Sequence, residues 1–117
     1  MNITIWHNNV CSTSRKALDF LESKEVEIKI RNYIQDAPSI EEIEEVLLKL
    51  NRPATTILRK KDKVFQEKFI NKNLSEKEWI KAMSENPSII ERPIVISENK
   101  AWLARPLEEW ISNFDNQ

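Results

Sequence analysis

Residues 7 to 15 read HNNVCSTSR and contain Cys11, the only cysteine among 117 residues. The alternating pattern before Cys11 predicts a strand and the pattern after it predicts a helix, so the thiol should lie at a strand-to-helix junction. The free N–H groups of a first helical turn favour a thiolate, the form of cysteine that attacks electrophiles. This placement indicates a nucleophile. The alternative is a buried, inert cysteine, which is common for this residue type.

A helix terminus alone does not make a reactive thiolate. It contributes about 0.3–1 kcal/mol, whereas lowering a thiol pKa by two units requires about 2.7 kcal/mol. The hydroxyl groups of Ser12, Thr13 and Ser14 could donate hydrogen bonds to the sulfur, and Arg15 or arginines from elsewhere could supply positive charge. We therefore expect further donors and cations around Cys11.

Spacing excludes two familiar thiol chemistries. A dithiol oxidoreductase requires C-x-x-C, and Ser14 stands where the second cysteine would be; a tyrosine-phosphatase-like loop requires C-x5-R, and Ala17 stands at the arginine position. One cysteine and one histidine also make a poor metal site, so we expect none. What remains is a thiolate that forms a covalent adduct and relies on an outside thiol, such as glutathione or glutaredoxin, to complete the cycle.

Three arginines could hold an anion beside this thiol. Arg59 lies in ILRKK, Arg92 precedes Pro93, and Arg105 precedes Pro106. A residue before proline is restricted to extended backbone, so Arg92 and Arg105 should lie at strand ends, and a hairpin would bring them to the same end. Their planar guanidinium groups could grip a tetrahedral oxyanion. The alternative is three solvated surface arginines.

The elements that must position these residues alternate between strand and helix. Strands are predicted at 2–7, 26–34, 92–97 and 101–105. Helices are predicted to begin at Ser12, Ser39, Ser75 and Pro106, the second and third with capping boxes, while 53–70 is less regular. This order predicts an α/β thioredoxin-like fold, in which helices flank a mixed four-stranded sheet and a helical insertion occupies about 38–90.

Composition restricts the class of protein further. A chain of 117 residues fits one domain, 1–117, and a net charge of -1 gives no general attraction to nucleic acid. We found no apolar run of membrane-spanning length and no signal peptide, so we expect no membrane association and a cytoplasmic location. The chain has no glycine, so asparagines such as Asn51 and those at 71 and 73 should form its turns.

The motifs HNNVCSTSR, LRK at 58–60, RPIVI at 92–96 and RP at 105–106, in this order and over nearly the whole chain, resemble the ArsC family of glutaredoxin-coupled arsenate reductases. The resemblance implies that Cys11 is the catalytic nucleophile and that the oxyanion is bound by Arg59, Arg92 and Arg105. His7, Ser14 and Pro93 also stand at family positions. Ser14 is expected to hydrogen-bond the Cys11 sulfur, and Pro93 corresponds to the cis-proline beside the active site. Asn9 replaces a proline common in the family.

The resemblance also implies a reaction and its partners. Cys11 attacks arsenate or a similar oxyanion, glutathione acts as co-substrate with no cofactor bound, and glutaredoxin reduces the mixed disulfide to release arsenite. We expect a monomer. Related YffB-like thiol reductases and Spx-type regulators, which bind RNA polymerase, share the fold without established arsenate reduction and remain alternatives. Spx-type regulators carry C-x-x-C, so Ser14 argues against that redox switch.

Overall fold

The computed structural model describes residues 2–115. These form two compact units, one made of the chain up to Tyr33 together with the chain from Arg92, and the other of Ile34–Glu91. The second unit spans the region predicted as a helical insertion at about 38–90, while the assignment of 1–117 to a single domain stays a prediction. In chain order the strands and α-helices are β1 (Asn2–His7), α1 (Ser12–Glu22), β2 (Glu27–Asn32), α2 (Ile40–Leu50), α3 (Lys63–Lys68), α4 (Glu76–Glu85), β3 (Ile94–Ile96), β4 (Ala101–Leu103) and α5 (Leu107–Asp115).

The first unit contains a four-stranded mixed sheet in the order β2-β1-β3-β4. β1 and β2 are parallel, as a strand-helix-strand crossover requires, whereas β3 is antiparallel to both β1 and β4. In this register Trp6 lies opposite Ile94, and Ile94 lies opposite Leu103. The predicted fold class, a thioredoxin-like mixed sheet flanked by helices, is confirmed.

Helices α1 and α5 pack against this sheet through one apolar cluster. β1 and β3 place alternate side chains into it, and both helices contribute from the face spaced every three or four residues. Each fully buried aliphatic side chain stabilises the unit by about 1.5–3 kcal/mol. The buried members are Ile3, Ile5, Ala17, Leu21, Val95, Ala104, Trp110 and Phe114.

The second unit is helical. Both predicted capping boxes are present at its longer helices: Ser39 with Glu42 begins α2, and Ser75 with Glu78 begins α4. Short 3-10 helices lie before α3 and after α4, at Ala54–Ile57 and Pro87–Ile89. Among residues 2–115, no helix is long and apolar enough to cross a membrane.

Helix α3 was missing from the sequence prediction, which treated 53–70 as irregular. It has six residues, too few to show a periodic pattern, and depends on the Asp62 side chain, which accepts hydrogen bonds from the Val64 and Phe65 amides. Asn51 and Asn71 take the left-handed backbone that glycine usually supplies, with φ of 57° and 63°. These two asparagine turns are confirmed.

Several predicted boundaries were too wide. β2 is confined to Glu27–Asn32, and β3 begins only after Pro93, whose nitrogen has no hydrogen to donate to a neighbouring strand. Pro106 was placed in the first turn of the last helix but lies just before it. Its carbonyl accepts a hydrogen bond from the Trp110 amide at 3.2 Å, as an N-cap residue does.

Candidate active site

All four strands of the sheet have one end on the same side of the sheet, and the candidate site lies there. The parallel strands β1 and β2 both end there, β1 running into the Cys11 loop and β2 into Tyr33. The antiparallel strand β3 begins there, just after Arg92, and β4 ends there, just before Arg105. Four segments that are distant in sequence therefore deliver side chains to one place.

The loop that carries Cys11 is held by its first residue. The Asn8 carbonyl accepts a hydrogen bond from the Cys11 amide at 3.0 Å, and the Asn8 side chain accepts one from the Val10 amide at 3.1 Å. Cys11 itself has extended backbone and is the N-cap residue of α1, its carbonyl accepting from the Arg15 amide at 3.0 Å. The sulfur thus lies at the first turn of α1, as the sequence predicted, and Cys11 is half-buried rather than sealed in the core.

Arg105 is directed at the sulfur by two hydrogen bonds. Its Nη2 donates to the Cys11 Sγ at 3.2 Å, and its Nε donates to the Arg92 main-chain carbonyl at 2.5 Å. The predicted hairpin therefore does bring Arg92 and Arg105 to the same end. The Ala104 amide donates to the Pro93 carbonyl at 3.0 Å, which continues the strand pairing up to the two arginines. The Arg92–Pro93 and Arg105–Pro106 peptide bonds are both cis. The family resemblance had implied a cis bond at Pro93.

These groups change the acidity of the thiol. Burial of Cys11 acts to raise its pKa and is the largest single contribution. The Ser14 amide, a hydrogen bond from Arg92 and the charges of Arg105 and Arg92 together outweigh it and hold the pKa of Cys11 below its ordinary value. The additional donors and cations that the sequence required are therefore present.

Arg92 contacts both the thiol and a tyrosine. Burial acts to lower the pKa of Arg92, but Tyr33 and then Cys11, each through a hydrogen bond and through charge, raise it above its ordinary value. The guanidinium therefore stays protonated beside the sulfur. Sequence reasoning missed Tyr33, because a tyrosine at the end of an apolar strand is usually a core residue and nothing local indicates an arginine partner.

His7 and Ser14 form a buried pair beneath the loop. The Ser14 hydroxyl is hydrogen-bonded to His7 Nδ1 at 2.7 Å and accepts from the Asn8 amide at 3.1 Å. His7 and Ser14 are 1% and 0% exposed, so this pair fastens the loop from inside. The family resemblance implied a hydrogen bond from Ser14 to the sulfur. In the structure the Ser14 amide lowers the pKa of the Cys11 thiol, while the Ser14 hydroxyl is hydrogen-bonded to His7 Nδ1.

Arg59 belongs to the second unit, where a carboxylate orients it. Its Nη1 lies 3.3 Å from Glu91 Oε1, and both side chains are half-buried. A short antiparallel pairing fixes the two residues, since the Arg59 amide donates to the Ile89 carbonyl and the Glu91 amide to the Ile57 carbonyl, each at 2.7 Å. Arg59 is thus an ordered guanidinium in an ion pair, and its role toward an oxyanion stays a prediction.

A cavity of about 480 Å³ also lies in the second unit, against α2 and α4. Its lining includes the apolar residues Leu47, Leu48 and Ile80 and the charged residues Glu44 and Arg52. None of the site residues predicted from the sequence lines it. Within residues 2–115 no group of three or more His, Cys, Asp or Glu side chains could hold a metal ion.

The fold is thioredoxin-like, and its single cysteine lies at the first turn of the first helix with two arginines acting on it. These features define a class of single-thiol proteins. A model of the ArsC family matches residues 6–113. The chain belongs to the ArsC family.

Named relatives agree with this assignment. The chain is 38% identical over 110 residues to an arsenate reductase of Haemophilus influenzae, covering 92% of this chain and 95% of the relative. It is 35% identical over 108 residues to an arsenate reductase of Neisseria meningitidis serogroup B, with 91% and 92% covered. The solved structure of an arsenate reductase from Vibrio cholerae superposes with a TM-score of 0.87 at 32% identity, covering 96% of this chain and 97% of that one.

Proposed function

We propose that this protein reduces arsenate to arsenite, using Cys11 as its single nucleophile and glutathione with glutaredoxin as the reductant. The observation that carries the proposal is the 3.2 Å hydrogen bond from Arg105 to the Cys11 sulfur, together with the second guanidinium, Arg92, which also acts on that sulfur. Two cations beside a partly exposed thiol favour both a thiolate and the binding of an anion. Relatives named arsenate reductase indicate which anion.

Binding of the substrate falls to the arginines. The Arg92 and Arg105 guanidinium groups offer N–H donors beside the sulfur, so a tetrahedral oxyanion held there would place its central atom within reach of the thiolate. Arg59 would add a third guanidinium, with its orientation set by Glu91. Positive charge also offsets the repulsion between a thiolate and an anionic substrate.

The chemical steps balance with two outside thiols. The Cys11 thiolate attacks arsenic, forming an S–As bond while one arsenic-bound oxygen takes up protons and leaves as water. A glutathione thiolate then attacks the Cys11 sulfur. The S–As bond breaks and its electron pair stays on arsenic, so As(V) becomes As(III) and leaves as arsenite. The Cys11–glutathione mixed disulfide is reduced by glutaredoxin, which regenerates Cys11.

Because Cys11 is the only cysteine in the sequence, we assign the remaining reducing equivalents to outside thiols. Ser14 stands where a resolving cysteine would be, and its hydroxyl is engaged with His7. We therefore place the reaction in the cytoplasm, where thiols are kept reduced. The protein acts as a monomer with no bound cofactor, and its partners are the oxyanion, glutathione and glutaredoxin.

The test is production of arsenite from arsenate by the purified protein with glutathione and glutaredoxin. Cys11→Ser is expected to abolish turnover. Ser12→Ala changes an exposed neighbour and should retain activity within about twofold, the range of an ordinary surface substitution. Arsenite production by Cys11→Ser would refute the assigned nucleophile. Reduction of glutathione mixed disulfides without any arsenate turnover would replace the proposal with a thiol reductase of another substrate.

A further inference from the structure

Leu48 is the most exposed large apolar side chain of the helical unit Ile34–Glu91. It is 81% exposed although it lines the cavity of about 480 Å³, whose other apolar lining residues are Leu47, Pro53 and Ile80. A single exposed leucine is ordinary, but a leucine that continues an apolar hollow belongs to a contiguous patch, and such patches mark interaction surfaces. This surface therefore combines a protruding apolar side chain with a concave apolar part.

Two charged residues flank Leu48 along the chain. Glu44, Leu48 and Arg52 are spaced by four residues, and that spacing places Glu44 and Leu48 on the same face of α2. Arg52 lies just beyond the helix, where its backbone is fixed. The Arg52 amide donates to the Leu47 carbonyl at 3.3 Å, and the Asn51 amide donates to the Leu48 carbonyl at 3.1 Å. The surface is thus acidic on one side of Leu48 and basic on the other.

The Glu44 and Arg52 charges are available to a partner molecule. Both side chains are exposed, and within residues 2–115 neither has a recorded hydrogen bond or ion pair. Glu76, which also lines the cavity, is already engaged, because its carboxylate oxygens accept from the Ala54 amide at 3.1 and 2.9 Å. The surface therefore offers one unpaired acid and one unpaired base, which is the balance that a surface needs to be complementary to itself.

We propose that this surface pairs with the same surface of a second copy of the chain, through Leu48 and the opposed charges of Glu44 and Arg52. In a two-fold pair each contact occurs twice, so the paired surface must complement itself. When two α2 helices lie antiparallel about Leu48, Glu44 of one protomer faces Arg52 of its partner, and each Leu48 enters the cavity of the other protomer. The cavity has room for it, since about 150 Å³ already admits benzene.

The pairing is weak and separate from the proposed function. One leucine from each side makes a small apolar contact, and interfaces below about 1,200 Å² are typical of transient association. Cys11 lies in the other unit, and the groups that lower its pKa, Arg92 and Arg105 among them, belong to the same chain as Cys11. Each protomer therefore acts on its own in the proposed reaction, whether or not it is paired.

Sedimentation equilibrium of the whole protein, from about 1 μM to about 1 mM, measures the association. The mass should rise from that of one chain toward that of two. Leu48→Ser should raise the dissociation constant by about 100-fold or more, because the pair loses two leucine contacts. Ile70→Ser is the matched control, since Ile70 is 48% exposed in the same unit but does not line the cavity. The mass of one chain at every concentration would overturn the proposal and leave the cavity to another occupant.

Exchange of the two charges tests the antiparallel arrangement. Glu44→Arg alone and Arg52→Glu alone each place like charges opposite one another twice, so each should raise the dissociation constant by about 10-fold. The double variant and an equal mixture of the two single variants both bring opposite charges together again, and both should recover the association of the unsubstituted protein. If neither recovers it, the antiparallel pairing is wrong. Arsenate turnover per chain should be unchanged in all of these variants, so the two proposals fail independently.

Discussion

Arg92 and Arg105 face each other across the end of the β3–β4 hairpin, and the Arg105 Nε donates a hydrogen bond to the Arg92 main-chain carbonyl at 2.5 Å. The backbone of one arginine therefore aims the side chain of the other. Because a carbonyl carries no net charge, this contact orients Arg105 toward the Cys11 sulfur without cancelling its charge.

Arg105→Lys and Arg105→Gln should differ in their effect on Cys11. Lysine keeps the charge but cannot make the Nε and Nη2 hydrogen bonds together, whereas glutamine loses the charge as well. We expect alkylation of Cys11 below its pKa to slow by about fivefold in Arg105→Gln and by less in Arg105→Lys. Arg15→Gln is the control, since Arg15 is exposed on α1 and not among the groups that lower the pKa of Cys11. A larger loss in Arg105→Lys would contradict the assignment.

Stability should depend on pH through Cys11. The folded protein holds the pKa of this thiol below that of the unfolded chain, about 8.5. The ionised thiol therefore stabilises the fold fully above about pH 8.5, and this contribution is lost as pH falls through the lower folded pKa. Urea unfolding across pH should show the difference in free energy of unfolding between the unsubstituted protein and Cys11→Ser growing as pH rises, then levelling. A difference independent of pH would be incompatible with a lowered pKa.

Arg59→Gln should separate oxyanion binding from thiol ionisation. The groups that lower the pKa of Cys11 are the Ser14 amide, Arg92 and Arg105. We therefore expect Arg59→Gln to leave the alkylation profile unchanged while raising the KM for arsenate by about 5- to 10-fold, as loss of a charged hydrogen bond does. Arg52→Gln, which removes an exposed arginine from the same unit, should leave KM unchanged. An unchanged KM in Arg59→Gln would remove Arg59 from the site.

The capping box of α2 should make a measurable contribution to stability. The Ser39 hydroxyl accepts from the Glu42 amide at 3.1 Å, and the Glu42 side chain accepts from the Ser39 amide at 2.9 Å. Ser39→Ala should lower the free energy of unfolding by about 1 kcal/mol. Ser112→Ala on the exposed face of α5 should change it by less than about 0.5 kcal/mol. Equal effects of the two substitutions would show that the cap contributes nothing.

The strands and the opposed arginines were predictable because their signals are local. Alternation of apolar residues marks β1, and each of the two arginines is followed by a proline that restricts its backbone. The two capping boxes were predictable for the same reason, since the serine and the glutamate of each are three residues apart.

What was missed depends on contacts that spacing does not encode. Tyr33 acts to raise the pKa of Arg92, and the two residues are so far apart along the chain that no short window of sequence contains both. The Ser14 hydroxyl is hydrogen-bonded to the buried ring of His7 rather than to the Cys11 sulfur. Helix α3 is defined by one aspartate cap rather than by a repeating pattern.

The unit that holds Cys11 is assembled from two segments that Ile34–Glu91 separates along the chain, and this sets the order in which its parts are synthesised. Cys11 leaves the ribosome long before Arg92 and Arg105, and translation adds about 5–20 residues per second. A nascent chain that ends before Arg92 carries the thiol without the two guanidinium groups that ionise it. The two guanidinium groups that lower the pKa of Cys11 are therefore added after the thiol, and the low pKa is a property of the assembled unit rather than of the Cys11 loop alone.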